Sequence, residues 1–206
     1  MSNHVFVEPK WLKPALQGLA FWIGHRHSLY KGHSIPEAAF VTEACNLIQA
    51  NLPEGYELFC EIPLKNLVSP KVSPKKFGPR TRADIVVASK RKPKLKINSN
   101  LSNNEDLWVI ETKRYSASQS LISADLQRLA RLKLYNAAIH AILIVVSESK
   151  RPGKFVNEKG EAYRKNFPIR SDDSFYRIRR VCKASSSFRK NEHAHYVCVI
   201  EVLTKN

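Results

Sequence analysis

The apolar positions of the chain change their spacing several times, and each change marks an element. After Ser34-Ile35-Pro36-Glu37, the residues Phe40, Val41, Ala44, Leu47 and Ile48 recur at three- and four-residue intervals, the stripe of an amphipathic helix. Its opening has the form of a capping box with proline in the first turn, and Leu52-Pro53-Glu54-Gly55 ends it. Tyr56 to Leu64 (YELFCEIPL) reads as a first strand, and Arg82 to Ala88 (RADIVVA), rich in β-branched residues, as a second. Asp106 to Tyr115 (DLWVIETKRY) is a third. A helix then starts among Ser116 to Ser120 and runs to about Ile139, with Leu121, Ile122, Leu126, Leu129 and Leu132 on its buried side. His140 to Ser147 (HAILIVVS) is a continuous apolar run of strand length, as expected of a strand covered on both faces.

A short apolar helix, Pro14 to Ile23, and the polar string GHRHSLYKGH precede this series. Residues 148–173 read as loop, and Phe175 to Val181 and His195 to Leu203 as two strands that extend the sheet. Two polar tracts interrupt the pattern. SPKVSPKKFGP, Ser69 to Pro79, is an exposed loop by its prolines and glycine; SKRKPKLKINSNLSNNE, residues 89–105, is too long for a tight hairpin. The expectation is one α/β domain over residues 1–206, with a mixed central sheet flanked by helices. Its core spans about 34–147, with an N-terminal helical extension 1–33 and a C-terminal sheet extension 148–206.

Charge narrows the range of partners. Lys and Arg number 34 against 18 Asp and Glu, a net +16 with neutral histidine, which suits a polyanion and nucleic acid above all. A membrane-surface protein would need a basic amphipathic helix with a bulky apolar face, and none stands out. The N-terminus has no apolar signal region, and its longest apolar patch, LAFWI, is too short to span a bilayer; the expected setting is cytoplasmic, with no membrane partner. Cys45, Cys60, Cys182 and Cys198 form no CxxC pair and read as reduced core cysteines. His25-Arg26-His27 and His193-Ala194-His195 each alternate two imidazoles without a third ligand and read as surface histidines.

Strand alternation raises the chemical question. In the third strand Leu107, Val109, Glu111 and Lys113 share one face, and Trp108, Ile110 and Thr112 the other. An exposed same-face ion pair, worth under about 1 kcal/mol, is the simplest account of Glu111 and Lys113. The alternative is a sheet end that opens into a polar cleft. Asp84 can then lie beside Glu111, and two carboxylates can share a divalent cation; Mg²⁺ takes hard oxygen ligands and keeps waters for chemistry. A lysine beside it can orient or help deprotonate an attacking water and stabilise charge on a phosphate.

Asp84, then Glu111-Thr112-Lys113 after a loop, set in the order helix, three strands, helix, strand, resembles the PD-(D/E)XK nuclease superfamily. That resemblance covers about residues 34–147 and implies a restriction-endonuclease-like αβββαβ core. It implies Asp84 and Glu111 as ligands of Mg²⁺, for which Mn²⁺ would substitute, and Lys113 as the catalytic residue on the base side. Ala83 stands where the name-giving proline would be, and Arg131 replaces the tyrosine that, four residues after Gln127, marks an exonuclease group of the family; endonucleolytic cleavage of DNA is therefore expected. Many members add an acid from the first helix. Glu37, at the centre of the apolar stripe, and Glu43, at its flank, compete for that place.

For DNA contact the candidates are Lys90, Arg91 and Lys92 in the basic loop, Arg114 after the ExK motif, and Arg177, Arg179 and Arg180, with Lys183, Arg189 and Lys190 beyond. Phe175 or Tyr176 can stack on a base. A solvated basic face is the plainer reading of the same residues. The alternative function is a catalytically inactive nucleic-acid-binding module of the same fold, and a homodimer is compatible with either. The charge predicts that the logarithm of the DNA-binding constant falls linearly with the logarithm of salt, with a slope of roughly −0.9 per phosphate contact. Fluorescence anisotropy with a labelled duplex measures it, and an affinity indifferent to salt contradicts the reading.

Overall fold

The structure, a computed structural model, describes residues 8–30, 33–68, 77–78, 80–89, 106–170, 173–184 and 193–205. In chain order these form α1 (Leu12–Leu29), α2 (Glu37–Asn51), β1 (Tyr56–Pro63), a 3₁₀ turn (Leu64–Leu67), β2 (Arg82–Ser89), β3 (Leu107–Arg114), α3 (Gln119–Tyr135), β4 (Ile139–Ser147), β5 (Asn166–Pro168), β6 (Ser174–Ala184) and β7 (His195–Thr204). The strands make one mixed sheet in the order β1-β2-β3-β4-β7-β6-β5. Only β3 and β4 pair in parallel; the other neighbours are antiparallel. A parallel pair needs a crossover connection, and α3 is that connection.

Each face of the sheet has its own core. On one, Ile122, Leu126, Leu129 and Leu132 of α3 pack over Val86, Val109, Leu143 and Val145. On the other, Leu16, Leu19 and Ile23 of α1 and Phe40, Ala44 and Ile48 of α2 cover Ile85, Ile110, Ile142 and Ile144, together with Val197 and Val199. Because β3 and β4 are covered on both sides, they read as unbroken apolar runs. The N-terminal helix and the C-terminal strand share these cores with the central strands.

Several boundaries depart from the periodic pattern, each for a physical reason. α1 continues to Leu29, into the polar string. At Gly24 an added Cβ would stand 3.0 Å from the His195 ring and 3.4 Å from Ala184 Cβ, so close packing on β6 and β7 carries the helix onward. Leu121, expected on the buried side of α3, is 54% exposed; it precedes Ile122 by one position, roughly 100° around the helix. β5 lies inside the expected 148–173 loop and is only three residues long, too short to show a period. No capping box forms at α2. Its N-cap is Pro36, without a side-chain cap, and Ile35 N donates instead to Glu148 Oε1 at 2.6 Å.

The basic loop with Lys90, Arg91 and Lys92, and also Arg189 and Lys190, lie outside the described residues. Among the described residues no helix is long and apolar enough to cross a membrane. Phe40 anchors α2 with its ring fully buried, edge-on to Trp22 at 6.4 Å. Phe40→Ala is expected to cost about 3–5 kcal/mol of unfolding free energy in urea titration, whereas Leu134→Ala, at an exposed position, changes it by less than about 0.5 kcal/mol. Equal effects would contradict this placement of the core.

Candidate active site

The β2–β3 register runs from Ala88↔Leu107 to Ile85↔Ile110. One step further it sets Asp84 against Glu111, and there a side chain takes over from the ladder: Thr112 N donates to Asp84 Oδ2 at 2.7 Å. Leu107 and Val109 belong to the α3 core, and strand alternation carries Glu111 and Lys113 to the same face. Glu111 is only 2% exposed. An unpaired carboxylate at such depth is costly, and α3 supplies the partner. Arg128 Nη2 lies 3.0 Å from Glu111 Oε2 and 2.7 Å from Asp125 Oδ1.

Lys113 completes the set. Its Nζ lies 2.8 Å from Glu37 Oε1 and 3.5 Å from Asp125 Oδ2, while Arg114 N reaches Glu37 Oε2 at 3.5 Å. Charges therefore alternate along Glu37, Lys113, Asp125, Arg128 and Glu111, with Asp84 beside them. Of the two helix acids, Glu37 joins this group because its carboxylate is not spent on capping. Glu43, six residues further along α2, roughly 9 Å of helix rise, makes no hydrogen bond or ion pair among the described residues. Asp125 and Arg128 escaped the sequence reading. An acid inside the apolar stripe of α3, three positions before an arginine, was the signal that marked them.

Burial dominates the titration of the acids. It pushes Glu111 up to about 8 against the pull of Arg128, with Asp84 and Asp125 adding to the rise. It raises Asp84 as well, opposed by the Thr112 N–H and Lys113 and reinforced by Glu61 and Asp125. Burial pulls Lys113 down, but the Glu37 hydrogen bond and the charges of Asp125, Glu37 and Asp84 outweigh it and hold the ammonium protonated. Two oxygens of these acids, Glu111 Oε1 and Asp125 Oδ2, are buried with no hydrogen-bond partner.

A cleft of about 490 Å³ opens beside these groups, lined by Glu61, Gly78, Arg80, Thr81, Arg82 and Arg128. Glu61 has φ of 56°, a left-handed conformation that costs a non-glycine residue roughly 1–2 kcal/mol. The flanking pairs Cys60↔Ile85 and Ile62↔Ala83 set it opposite Asp84, and its carbonyl accepts from Arg82 Nη1 at 2.8 Å.

The other candidates lie elsewhere. Arg177 Nε donates to Asn166 Oδ1 at 2.8 Å, Arg179 Nε to Glu201 Oε2 at 2.5 Å, and Arg180 grips Glu8 with two nitrogens. All three belong to β6, three strand steps from β3 in the sheet, about 14 Å at the usual spacing. Tyr176, expected to offer its ring to a base, is instead 4% exposed and stacks on Phe167 at 4.9 Å. The Arg114 guanidinium lies 5.5 Å over the Phe40 ring, with Nε 3.5 Å from Glu148 Oε2. His27 and His195, one from each histidine motif, meet at 5.1 Å between ring centroids. Among the described residues no group of three or more His, Cys, Asp or Glu is placed to hold a metal ion; Asp84 and Glu111 offer two carboxylates, and Arg128 already touches one.

Compared with protein-family models, curated proteins and solved structures, the chain finds no match. The raised Glu111 gives a prediction with a definite sign. A folded-state value of about 8 against an ordinary 4.5 means that the folded protein keeps a proton the unfolded chain releases, so stability falls as pH rises between those values. In EDTA, the melting temperature of the wild type should drop more from pH 5 to pH 8 than that of Glu111→Gln. Parallel profiles would contradict the assignment.

Proposed function

We propose that the chain is a Mg²⁺-dependent nuclease of the PD-(D/E)XK kind, with a restriction-endonuclease-like core, that hydrolyses DNA phosphodiester bonds. The observation that carries this reading is the meeting of Asp84, Glu111 and Lys113, with Glu37, at the end of the β2–β3 ladder. The order α2-β1-β2-β3-α3-β4 supports it, because the sheet pairs β1, β2 and β3 antiparallel and β3 with β4 parallel.

The donor set fits the ion. Asp84 and Glu111 offer hard carboxylate oxygens, one of them buried without a partner, and Mg²⁺ commonly takes one or two carboxylates plus substrate phosphate and water rather than an all-protein cage. When bound, the ion would acidify a water and neutralise charge on the phosphate. Lys113, kept protonated by Glu37 and Asp125, acts as a donor: it orients the water and stabilises charge developing on the phosphate oxygens. Glu37 fixes the direction of that ammonium. Arg80, Arg82 and Arg128, on the cleft wall, hold the backbone of the strand to be cut.

A second reading is favoured by one observation. The Arg128 guanidinium already occupies Glu111 Oε2 at 3.0 Å, as expected of a module of the same fold that binds nucleic acid without turnover. Incubation with plasmid, linear and branched DNA in Mg²⁺ separates the two. The nuclease reading expects cleavage, abolished together with metal binding by Asp84→Ala or Glu111→Ala. Lys113→Ala should keep metal and DNA binding and lose roughly 10²-fold or more in rate. Lys113→Ala at the wild-type rate would overturn the role of the lysine, and DNA binding without cleavage of any substrate would favour the second reading.

A further inference from the structure

Two of the four cysteines are not sealed in the core. Cys182 and Cys198 are buried, on the adjacent strands β6 and β7. Cys60, by contrast, is exposed and Cys45 half-buried, and their Sγ atoms are 3.3 Å apart. They belong to different elements, Cys45 to α2 and Cys60 to β1, so sequence spacing alone does not join them. Strand alternation explains the meeting. Tyr56 and Leu58 pack on the α1–α2 core, and Cys60, in phase with them, turns the same way, toward the helix that carries Cys45.

We propose that Cys45 and Cys60 form a dithiol site that reacts with low-molecular-weight disulfides, of which glutathione disulfide is the type, and closes to an internal disulfide stapling α2 to β1. The separation needs to contract only from 3.3 Å to about 2.05 Å, the length of the bond.

The steps balance. The thiolate of Cys60, the exposed partner, attacks one sulfur of glutathione disulfide; that S–S bond breaks and the first glutathione leaves as a thiolate. Cys45 then attacks Cys60 Sγ, forming the internal bond and expelling the second glutathione. The two cysteines are oxidised by two electrons, glutathione disulfide is reduced by two, and the two cysteine protons end on the two glutathione thiols. Burial, with the Cys60 sulfur next, pushes Cys45 up to about 12, so Cys45 waits as a thiol and Cys60 takes the first step. This site does not depend on the nuclease reading.

The closed loop would run from residue 45 to residue 60, a separation of 15. Constraint of the unfolded chain by a loop of that size should raise the melting temperature by roughly 6–12 °C.

The test uses the full chain, reduced, freed of reductant and exposed to glutathione disulfide, with intact mass, peptide mapping and thermal melting as readouts. The expected wild-type product is lighter by two hydrogens, carries no glutathione, links Cys45 to Cys60 in its peptide map and melts higher. Cys45→Ser should stop at a stable glutathione adduct on Cys60, and Cys60→Ser should remain unmodified. Serine puts a slightly smaller and more polar hydroxyl at one half-buried and one exposed position, and circular dichroism checks the fold of both variants. A wild type that retains glutathione, stays reduced, or links other cysteines would overturn the proposal, as would closure without a rise in melting temperature.

Discussion

Glu111 is an acid sealed into a sheet core, and the arrangement of charge around it follows from that constraint. Removing a carboxylate from water costs several kcal/mol unless a cation answers it. The answer comes from α3, whose Arg128 reaches Glu111 and Asp125 together. Asp125 in turn faces Lys113, and Lys113 draws in Glu37 from α2. Each partner is delivered by a different packing decision. The parallel β3–β4 pair forces a crossover that lays α3 over one face, and the second core holds α2 against the other. Charge balance at the end of β3 therefore depends on both hydrophobic layers being in register.

That dependence explains which parts of the protein were legible in its sequence. β3 and β4 were readable because burial on both faces leaves an unbroken apolar run, and Glu111 with Lys113 stood out as the exception to it. The partners were not readable. Lys113 and Glu37 are separated by 76 residues, and a stripe of apolar residues says which face of α3 is buried but not which strand lies under Arg128. The start of α2 misled for a related reason. Ser34 to Glu37 has the composition of a capping box, yet Ile35 N is tied to Glu148 and Glu37 to Lys113, so tertiary partners took the groups that a local cap would have used.

The basic residues divide in the same way. The arginines of β6 form the most conspicuous cluster in the sequence among the described residues, but Arg179 and Arg180 face Glu201 and Glu8 of this chain. Arg80, Arg82 and Arg128 drew no attention as a group, since two flank the start of β2 and the third lies on α3. Only the fold gathers them on one cleft wall, beside Asp84 and the left-handed backbone of Glu61. Strained backbone of this kind is found preferentially at binding and catalytic sites, where the surrounding structure can hold it.

In the nuclease reading proposed above, Glu111 is buried to share a cation with Asp84, with Arg128 as its protein-borne neighbour. A crystal soaked in Mn²⁺ and measured at the manganese absorption edge tests this. The expected result is an anomalous peak within coordinating distance of both the Asp84 and Glu111 carboxylates. A saturating soak that leaves no peak there, with Arg128 still seated on Glu111, would contradict it and leave the buried acid as one half of a structural ion pair.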